Sequence, residues 1–190
     1  MRLDGGHPAL ELVNTIYGQV GGPVEHDVLA TPEDLVTLAR RVGLADRRTP
    51  ADAAALADAR ALRDVLDPVL RALLAKRTPP HAALAALEAA ARRATAAGRL
   101  ARTGGALAWS WPSDDARAPV HRLALAAIDL ITSADQLARL RQCAACCWLF
   151  LDHSRGTGRR WCSMADCGTE AKKRRYVQRR RERRRRPSSA

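Results

Sequence analysis

The sequence predicts a mainly α-helical protein with one small β-hairpin, followed by a compact cysteine-rich unit that ends in a basic helix. Three observations support this prediction. Helix-start residues followed by apolar residues at helical spacing recur through the first 140 residues. A Gly-Gly pair between two alternating segments occurs once, at Gly104-Gly105. All five cysteines of the 190-residue chain lie between residues 143 and 167.

The first predicted helix is short and follows Pro8, a residue that suits the first helical turn. Its apolar residues recur at helical spacing: Leu10, Val13 and Tyr17. The glycine-rich segment 18–23 then ends it. His7 and Asn14 are the polar residues here that could bind a ligand. The alternative, which we favour, is that Asn14 caps a neighbouring loop and His7 is an exposed helix-start residue, because a polar pair without further partners rarely marks a site.

Further helices are expected through the rest of this helical region. Thr31-Pro32-Glu33-Asp34 and Thr49-Pro50-Ala51-Asp52 both read as helix starts, and Gly43 ends the first of these two helices. The second extends to about residue 74 and contains Pro68, which we expect to kink or split it. Additional helices are predicted over residues 81–97, 115–132 and 135–140.

The predicted hairpin covers residues 99–111, where the apolar period changes from helical to alternating around the Gly-Gly turn. Trp109 and Trp111 are two residues apart and so share one face of a strand. They could stack on a ligand. We favour packing of both side chains against the helices, because aromatic residues are usually buried and a small sheet needs such bulk.

The charge of the chain is concentrated at its C-terminal end. The net charge is +12, and residues 141–190 hold fifteen Lys or Arg residues against four Asp or Glu. A nearly neutral first part with a strongly basic end is typical of proteins that bind a polyanion. The sequence has no run of eighteen apolar residues, so no membrane partner is expected. It also lacks a glycine-rich phosphate loop, a G-x-S-x-G motif and an H-E-x-x-H motif, so we expect no catalytic residues.

Four cysteines have the spacing of metal ligands: Cys143, Cys146, Cys162 and Cys167. Two pairs of this kind on neighbouring turns form a tetrahedral sulfur site, the geometry of structural Zn²⁺. The sequence therefore predicts one Zn²⁺ per chain. Cys147 should point away from the metal and pack as a small apolar side chain. His153 could replace one sulfur, but it lies in the long loop between the two pairs, so we retain the four-cysteine site.

Disulfides and a redox site are the alternatives for these cysteines. The chain opens without an apolar signal segment and has an odd number of cysteines, so a cytoplasmic location is expected and secreted cross-links are disfavoured. A redox Cys-x-x-Cys motif would need a thioredoxin-like βαβ context, which the surrounding sequence does not show. Zinc is the interpretation we adopt.

The local sequence predicts a treble-clef-like plan around the metal. A strand at residues 149–151 leads away from the first cysteine pair, residues 153–158 form a turn, and residues 159–161 return as a second strand. A helix then runs from Thr169 towards Pro187. Trp148, Phe150 and Trp161 should form a small core beside the metal. We expect Asp152 to pair with an arginine or to cap the turn.

These segments resemble a known family. The stretches RLRQCAACCWLFLDHSR, RRWCSMADCG and AKKRRY are similar to the CGNR zinc finger, and GHPALELVNT is similar to the start of the ABATE domain that precedes this finger. The resemblance places the metal ligands on the four cysteines named above. The tetrad that names the finger reads Cys-Gly-Thr-Glu here, from Cys167 to Glu170. The resemblance implies an ABATE-like domain over residues 1–137, a finger over 138–190, and a role as a stress-induced transcription regulator.

Three functions remain open at this stage, of which DNA binding is the one we favour. In it the finger and basic helix contact DNA, and the helical domain senses an unknown small molecule or forms a homodimer. RNA binding, with aromatic residues stacking on unpaired bases, and protein interaction are the alternatives. A treble-clef nuclease would need paired histidines that are absent. The candidate nucleic-acid contacts are Arg155, Arg159, Arg160, Lys172, Lys173, Arg175, Arg179, Arg180, Arg183 and Arg184.

Overall fold

Seven α-helices and three two-stranded sheets make up the part of the chain that the computed structural model describes, residues 1–156 and 158–185, with side chains as far as Arg181. The helices are α1 Pro8–Val13, α2 Pro32–Arg41, α3 Ala53–Leu74, α4 His81–Ala97, α5 Ala118–Thr132, α6 Ala134–Arg139 and α7 Thr169–Arg185. The strands are β1 Ile16–Gly18, β2 Val24–Asp27, β3 Arg99–Thr103, β4 Ala106–Ser110, β5 Leu140–Gln142 and β6 Leu149–Leu151. The mainly α prediction is confirmed. Residue 157 of the predicted turn and the predicted continuation of the last helix beyond residue 185 lie outside the described residues.

The helix starts follow the local sequence. Thr31 accepts a hydrogen bond from the backbone N–H of Asp34, whose carboxylate accepts one from the backbone N–H of Thr31. This reciprocal pair satisfies two N–H groups that a helix end leaves free. Asp52 caps α3 in the same manner through the backbone N–H of Ala55. Of the described helices, none combines the length and apolar content that crossing a bilayer requires.

Helix α3 is continuous through Pro68, so the expected split does not occur. A proline removes one backbone hydrogen bond, but packing can hold the two sides together. Leu66, Val69 and Leu70 on both sides of Pro68 are completely buried in the main core. The long apolar face of α3 therefore keeps the helix intact.

Tyr17 lies in strand β1 and not in the first helix, which ends at Val13. Strand β1 pairs antiparallel with β2, with Tyr17 opposite His26 and an irregularity after Tyr17. The glycine-rich segment between them is the turn, and Gly21 has a φ of 72° there. The sequence prediction missed this hairpin because both strands are only three or four residues long and polar residues occupy most of β2.

The predicted hairpin around Gly104 and Gly105 is present as β3 and β4. Both glycines have positive φ, 56° and 91°, as two-residue hairpin turns require. Trp111 is buried and donates its indole N–H to the carbonyl of Ala94 at 3.0 Å, which confirms its packing role. The prediction is wrong for Trp109, whose side chain is 40% exposed. Trp111 follows the end of β4 and reaches α4, whereas Trp109 lies beside the exposed Leu100 of the paired strand.

The main hydrophobic core joins the helical region to strands β5 and β6. Leu140, Leu149 and Leu151 are buried in the same cluster as the leucines of α1, α3 and α5. A second, smaller cluster contains Trp148 and Phe150 with the four metal-spaced cysteines. Alternate residues of a strand point to opposite faces. Strand β6 therefore has one face in the main core and the other in the small core beside the cysteines.

The predicted return strand at residues 159–161 is wrong, because β6 pairs with β5 instead. Leu140 lies opposite Leu151, and the first cysteine pair forms the turn between the two strands, closed by a 2.9 Å bond from the N–H of Cys143 to the carbonyl of Trp148. Residues 159–161 run beside this turn without forming a strand, and the carbonyl of Arg160 accepts a bond from the N–H of Ala144. The sequence before Cys143 gave no strand signal, since only three residues separate it from α6.

Candidate metal centre and its junction with the helical domain

The four cysteines come from three short segments. Cys143 and Cys146 lie on the turn between β5 and β6, Cys162 follows the loop, and Cys167 lies in a π-helical turn, Met164–Gly168, directly before α7. All four side chains are buried, and their sulfur atoms lie within 4.8 Å of one another. The sulfur–sulfur distances are 3.7 Å for Cys146–Cys162, 3.6 Å for Cys162–Cys167 and 3.7 Å for Cys146–Cys167.

This geometry fits a tetrahedral zinc ion. Zn–S bonds of about 2.3 Å in a tetrahedron place the sulfurs about 3.8 Å apart, whereas a disulfide needs about 2.05 Å. Sharing of protons among the thiols lowers the pKa of Cys143 through hydrogen bonds with Cys146 and Cys162, and it raises the pKa of Cys146 to about 12. Four thiols at this distance cannot all ionise without a cation to compensate the charge. The centre can therefore hold one metal ion with four thiolates.

Two other candidate ligands lie outside the cluster. Cys147 points towards the helical domain, where its sulfur lies 3.5 Å from the carbonyl oxygen of Ile16. Burial raises the pKa of its thiol. His153 is exposed on the loop after β6. Within the described residues, the cluster of potential metal ligands consists of the four predicted cysteines and includes neither of these two residues.

Arginine side chains cover the aromatic residues of the small core. The guanidinium of Arg159 lies 4.2 Å from the ring centre of Phe150 and donates to the carbonyl of Asp4 at 3.2 Å. Arg160 lies over Trp161 at 5.1 Å. Arg159 thus links the finger to the N-terminal segment, whereas Arg160 remains exposed.

Asp152 caps the loop that connects the two halves of the finger. Its carboxylate accepts hydrogen bonds from the backbone N–H groups of Ser154 at 3.0 Å and Arg159 at 2.9 Å. These bonds lower the pKa of Asp152 to about 2. The expected capping role is confirmed, and the contact to Arg159 is made by its backbone.

Asn14 binds the open edge of β6 with both ends of its amide. Its side-chain oxygen accepts from the N–H of Leu149 at 2.9 Å, and its side-chain nitrogen donates to the carbonyl of the same residue at 2.8 Å. Asn14 is 3% exposed. We call this contact the Asn14 clamp. It gives Asn14 a structural role between the two parts of the chain, with both the nitrogen and the oxygen of its amide bonded to Leu149.

Backbone contacts extend this junction on both sides of the clamp. The backbone N–H of Leu151 donates a hydrogen bond to the carbonyl of Gly5 at 2.8 Å. The backbone N–H of Cys147 donates one to the carbonyl of Gly18 at 3.0 Å. The indole N–H of Trp148 donates to the carbonyl of Ile16 at 2.9 Å. The N-terminal segment thus completes the edge of β6, as a neighbouring strand would. As expected from the absence of a linker, the finger is docked against the helical region.

Sequence reasoning missed several residues at this junction. Arg2 forms an ion pair with Asp166 at 2.9 Å and lies over the ring of Trp148 at 5.2 Å. Arg71 of α3 donates to the carbonyl of Cys147 at 2.9 Å while its guanidinium pairs with Asp67. No local pattern marks these residues, because each acts on a partner that is distant in sequence.

His7 is the N-cap of α1, and its ring nitrogen Nδ1 accepts from the N–H of Ala9 at 3.3 Å. Its Nε2 lies 3.6 Å from a carboxylate oxygen of Asp129. Burial lowers the pKa of His7, and Asp129 acts in the opposite direction. The helix-start role favoured from the sequence is confirmed, although the side chain is partly buried and not exposed.

The basic residues predicted to contact nucleic acid lie mainly on α7. Lys172, Lys173, Arg175, Arg179 and Arg180 are all exposed, as are Arg155 and Arg160 on the finger. Arg159 is engaged in the junction described above. Arg183 and Arg184 lie within the helical range of α7, but their side chains are outside the described residues. Helix α7 is an exposed basic extension of the metal centre.

A cavity of about 290 Å³ lies between the helical domain and the finger. Its apolar wall includes Val13, Ile16 and Tyr17, and its polar wall is the side of α3 that carries Arg63 and Arg71. Cys147 of the finger also lines it. Arg63 is almost completely buried and pairs with Asp27 at 2.8 Å. A molecule in this cavity would contact both parts of the chain.

Two family models match the chain and together cover most of it. The ABATE model, described as "Putative stress-induced transcription regulator", matches residues 6–134, and the CGNR zinc-finger model matches residues 139–180. The second match includes all four clustered cysteines. None of the curated proteins compared with the chain matches it. The metal centre is thus a zinc finger, and the chain belongs to the ABATE family, with a C-terminal CGNR zinc finger.

Proposed function

We propose that this protein is a DNA-binding transcription regulator in which zinc holds the finger and α7 contacts the phosphate backbone. The observation that carries this proposal is the placement of α7. It begins two residues after Cys167, and its side chains from Lys172 to Arg181 are all exposed. Seven of these ten residues are Lys or Arg. A cationic helix anchored rigidly at one end suits binding to a polyanion.

Phosphate contacts can be tested through the salt dependence of binding. Each phosphate neutralised by the protein releases counterions, so the slope of log affinity against log salt changes by roughly 0.9 per contact. Replacing Lys172, Arg175 and Arg179 with alanine should flatten this slope and weaken binding to all duplex sequences alike. Fluorescence anisotropy with a labelled duplex across a salt series measures both effects.

The matched control removes three exposed arginines of the helical domain: Arg47, Arg48 and Arg77. It changes the net charge by the same amount and should keep most of the wild-type slope. Equal slopes for the two triple variants would show that α7 is not the phosphate contact.

Selection of bound sequences from a random DNA pool then tests whether the protein recognises a specific DNA sequence.

RNA binding stays as the second candidate because of one residue. Tyr176 on α7 is 62% exposed, with Arg180 over its ring at 5.9 Å, an arrangement that can stack on an unpaired base. Trp148 is buried and does not support this function. Competition between duplex DNA and structured RNA at fixed salt distinguishes the two. If RNA is the partner, structured RNA should displace the DNA duplex from the protein. The Tyr176→Ala variant should then lose its preference for RNA over DNA.

We further propose that the helical domain senses a small molecule in the cavity between domain and finger. The support is the position of the cavity, because α3 and Cys147 line it together. A bound molecule raises the melting temperature by mass action. Melting of the full chain with a panel of small aromatic and carboxylate compounds provides the test. A Val24→Trp variant, which fills the rim of the cavity, should abolish any shift in melting temperature.

In this proposal the protein is not an enzyme and acts in the cytoplasm, where its thiols stay reduced.

A further inference from the structure

The β3–β4 hairpin exposes three large apolar side chains. Leu100, Leu107 and Trp109 are 57%, 69% and 40% exposed. The register places Leu100 opposite Trp109 and Arg102 opposite Leu107. Residues directly opposite or two apart lie on the same face. The three apolar residues therefore form one continuous patch on one face of the hairpin, and a two-stranded hairpin alone is only marginally stable in water.

The two edges of this hairpin differ in charge. Strand β3 carries Arg99 and Arg102, and charged residues of this kind protect an edge against pairing with another chain. Strand β4, Ala-Leu-Ala-Trp-Ser, has no charged residue and no proline. Within the described ranges, no backbone group of Ala106–Ser110 bonds to a residue outside the hairpin. The β4 edge is thus an unprotected strand edge.

We propose that the β4 edge pairs with the β4 edge of a second copy of this chain, antiparallel and centred on Ala108. This register aligns all five residues of each strand. It places Trp109 between Leu100 of its own chain and Leu107 of the second copy, which covers part of the apolar patch. The outcome is a four-stranded sheet with two-fold symmetry, the commonest symmetry of homo-oligomers.

The absence of charge on the β4 edge favours a second copy as the partner, while the net charge of +12 on each chain opposes association and keeps it weak. A protein with net charge +12 attracts acidic partners to its basic surfaces, such as α7 or the arginines of β3. The β4 edge has no charged side chain that could attract an acidic partner. Two β4 edges can pair without placing like charges against each other. Five paired residues bury less area than the roughly 1,200 Å² of a permanent interface. The dimer is therefore weak and depends on concentration.

The register can be tested by cross-linking the full-length protein. In the proposed dimer Ala108 lies opposite its own copy, so Ala108→Cys should form a disulfide-linked dimer under mild oxidation with diamide. Ala101→Cys is the matched control, because Ala101 pairs with Ala108 inside the hairpin and lies on the strand away from the interface. The wild-type protein, treated with diamide in the same way, shows how much cross-linking arises from the native cysteines. Equal cross-linking of both variants, or of neither, would overturn the pairing.

Sedimentation velocity across a concentration series gives a second, independent test without DNA. The sedimentation coefficient of the wild-type chain should rise with concentration. Leu107→Lys adds a charge to the β4 edge and should stay monomeric, whereas Leu100→Lys makes the same change on β3 and should still dimerise. A wild-type chain that remains monomeric throughout overturns the proposal, as does loss of the dimer in both variants. Zinc content and circular dichroism confirm that the variants fold. Failure here would leave the proposed DNA contact of α7 unaffected, since that is measured by salt dependence.

Discussion

At the scale of single residues, Asn14 supplies hydrogen bonds that a strand edge normally obtains from another strand. The backbone N–H and C=O of Leu149 both bond to the Asn14 side chain, and β5 occupies the opposite edge of β6. An amide is the one neutral side-chain group that offers a donor and an acceptor at this spacing. Gly5 lies close beside it, and a Cβ there would approach the side-chain nitrogen of Asn14 to 3.0 Å. The clamp therefore depends on an asparagine packed against a glycine.

Replacing Asn14 with alanine should destabilise the protein by about 2–4 kcal/mol, because two buried backbone groups each lose their partner. The free energy of unfolding in urea measures this change. Thr132→Ala is the control, since Thr132 is exposed and its hydroxyl bonds only within its own helix. We expect a change within about 0.5 kcal/mol there. Equal stability of the two variants would show that the clamp contributes little.

The metal centre predicts a difference between two cysteines. Wild-type protein should contain about one zinc per chain, as a single structural four-cysteine site does. Cys162→Ser should lose the metal and the fold of the finger, because its sulfur lies within 3.7 Å of two other ligands. Cys147→Ser should retain zinc, because Cys147 faces Ile16. Mass spectrometry of the metal content measures this, and equal loss from both variants would refute the ligand set.

Glu11 predicts a pH dependence of stability. It is 6% exposed, one carboxylate oxygen accepts from the N–H groups of Gly5 and Gly6, and burial raises its pKa above 4.5. Because the pKa of Glu11 is higher in the folded than in the unfolded state, the folded protein holds this proton more tightly. The free energy of unfolding therefore falls as pH rises from 4.5 through the pKa of Glu11 in the folded protein. Glu11→Gln lacks this ionisation, so its stability relative to wild type should be higher at pH 8 than at pH 5.

Unfolding in urea at the two pH values measures the effect, with Glu88→Gln as the control, because Glu88 is an exposed glutamate on α4. A constant difference between Glu11→Gln and wild type at both pH values would contradict the expected ionisation.

At the scale of elements, the helices and strand β6 were predictable, whereas strands β1, β2 and β5 were not. The starts at Thr31 and Asp52 depend on side-chain bonds within four residues, which the local sequence contains. Strand β6 lies at the predicted residues 149–151, but its partner β5 and the strand β1 have only three residues each and show no strand pattern in the local sequence. The cysteine site was predictable because the metal imposes its spacing on the sequence. The Asn14 clamp joins residues 135 positions apart, a distance at which sequence pattern carries no information.

At the scale of the whole molecule, the finger contributes to the core of the helical domain. Leu140, Leu149 and Leu151 are buried in that core, and burial of one such side chain contributes about 1.5–3 kcal/mol. A near-neutral body with apolar helices of its own would be expected to fold by itself, but these three leucines of the finger complete its core. We therefore expect metal binding to stabilise both parts of the chain.

A chain that ends at Leu137 should unfold or aggregate, because losing three buried leucines removes stability comparable to the roughly 5–15 kcal/mol of a whole domain. A chain that ends at Lys173 keeps the four cysteines and should remain folded with zinc bound. Thermal melting followed by circular dichroism compares the two. A cooperative melt of the shorter chain would show that the helical domain folds independently.

The exposure of α7 has a further consequence for how salt acts on this protein. Within the described part of the helix, all side chains beyond Ala171 are exposed and most are cationic, so little packing and much mutual repulsion act on it. Salt screens this repulsion and so favours the helical state of the free protein. The same salt weakens attraction to a polyanion. If α7 contacts nucleic acid as proposed, its helical order and its affinity should therefore respond to ionic strength in opposite directions, and binding should favour the helix by neutralising its charge.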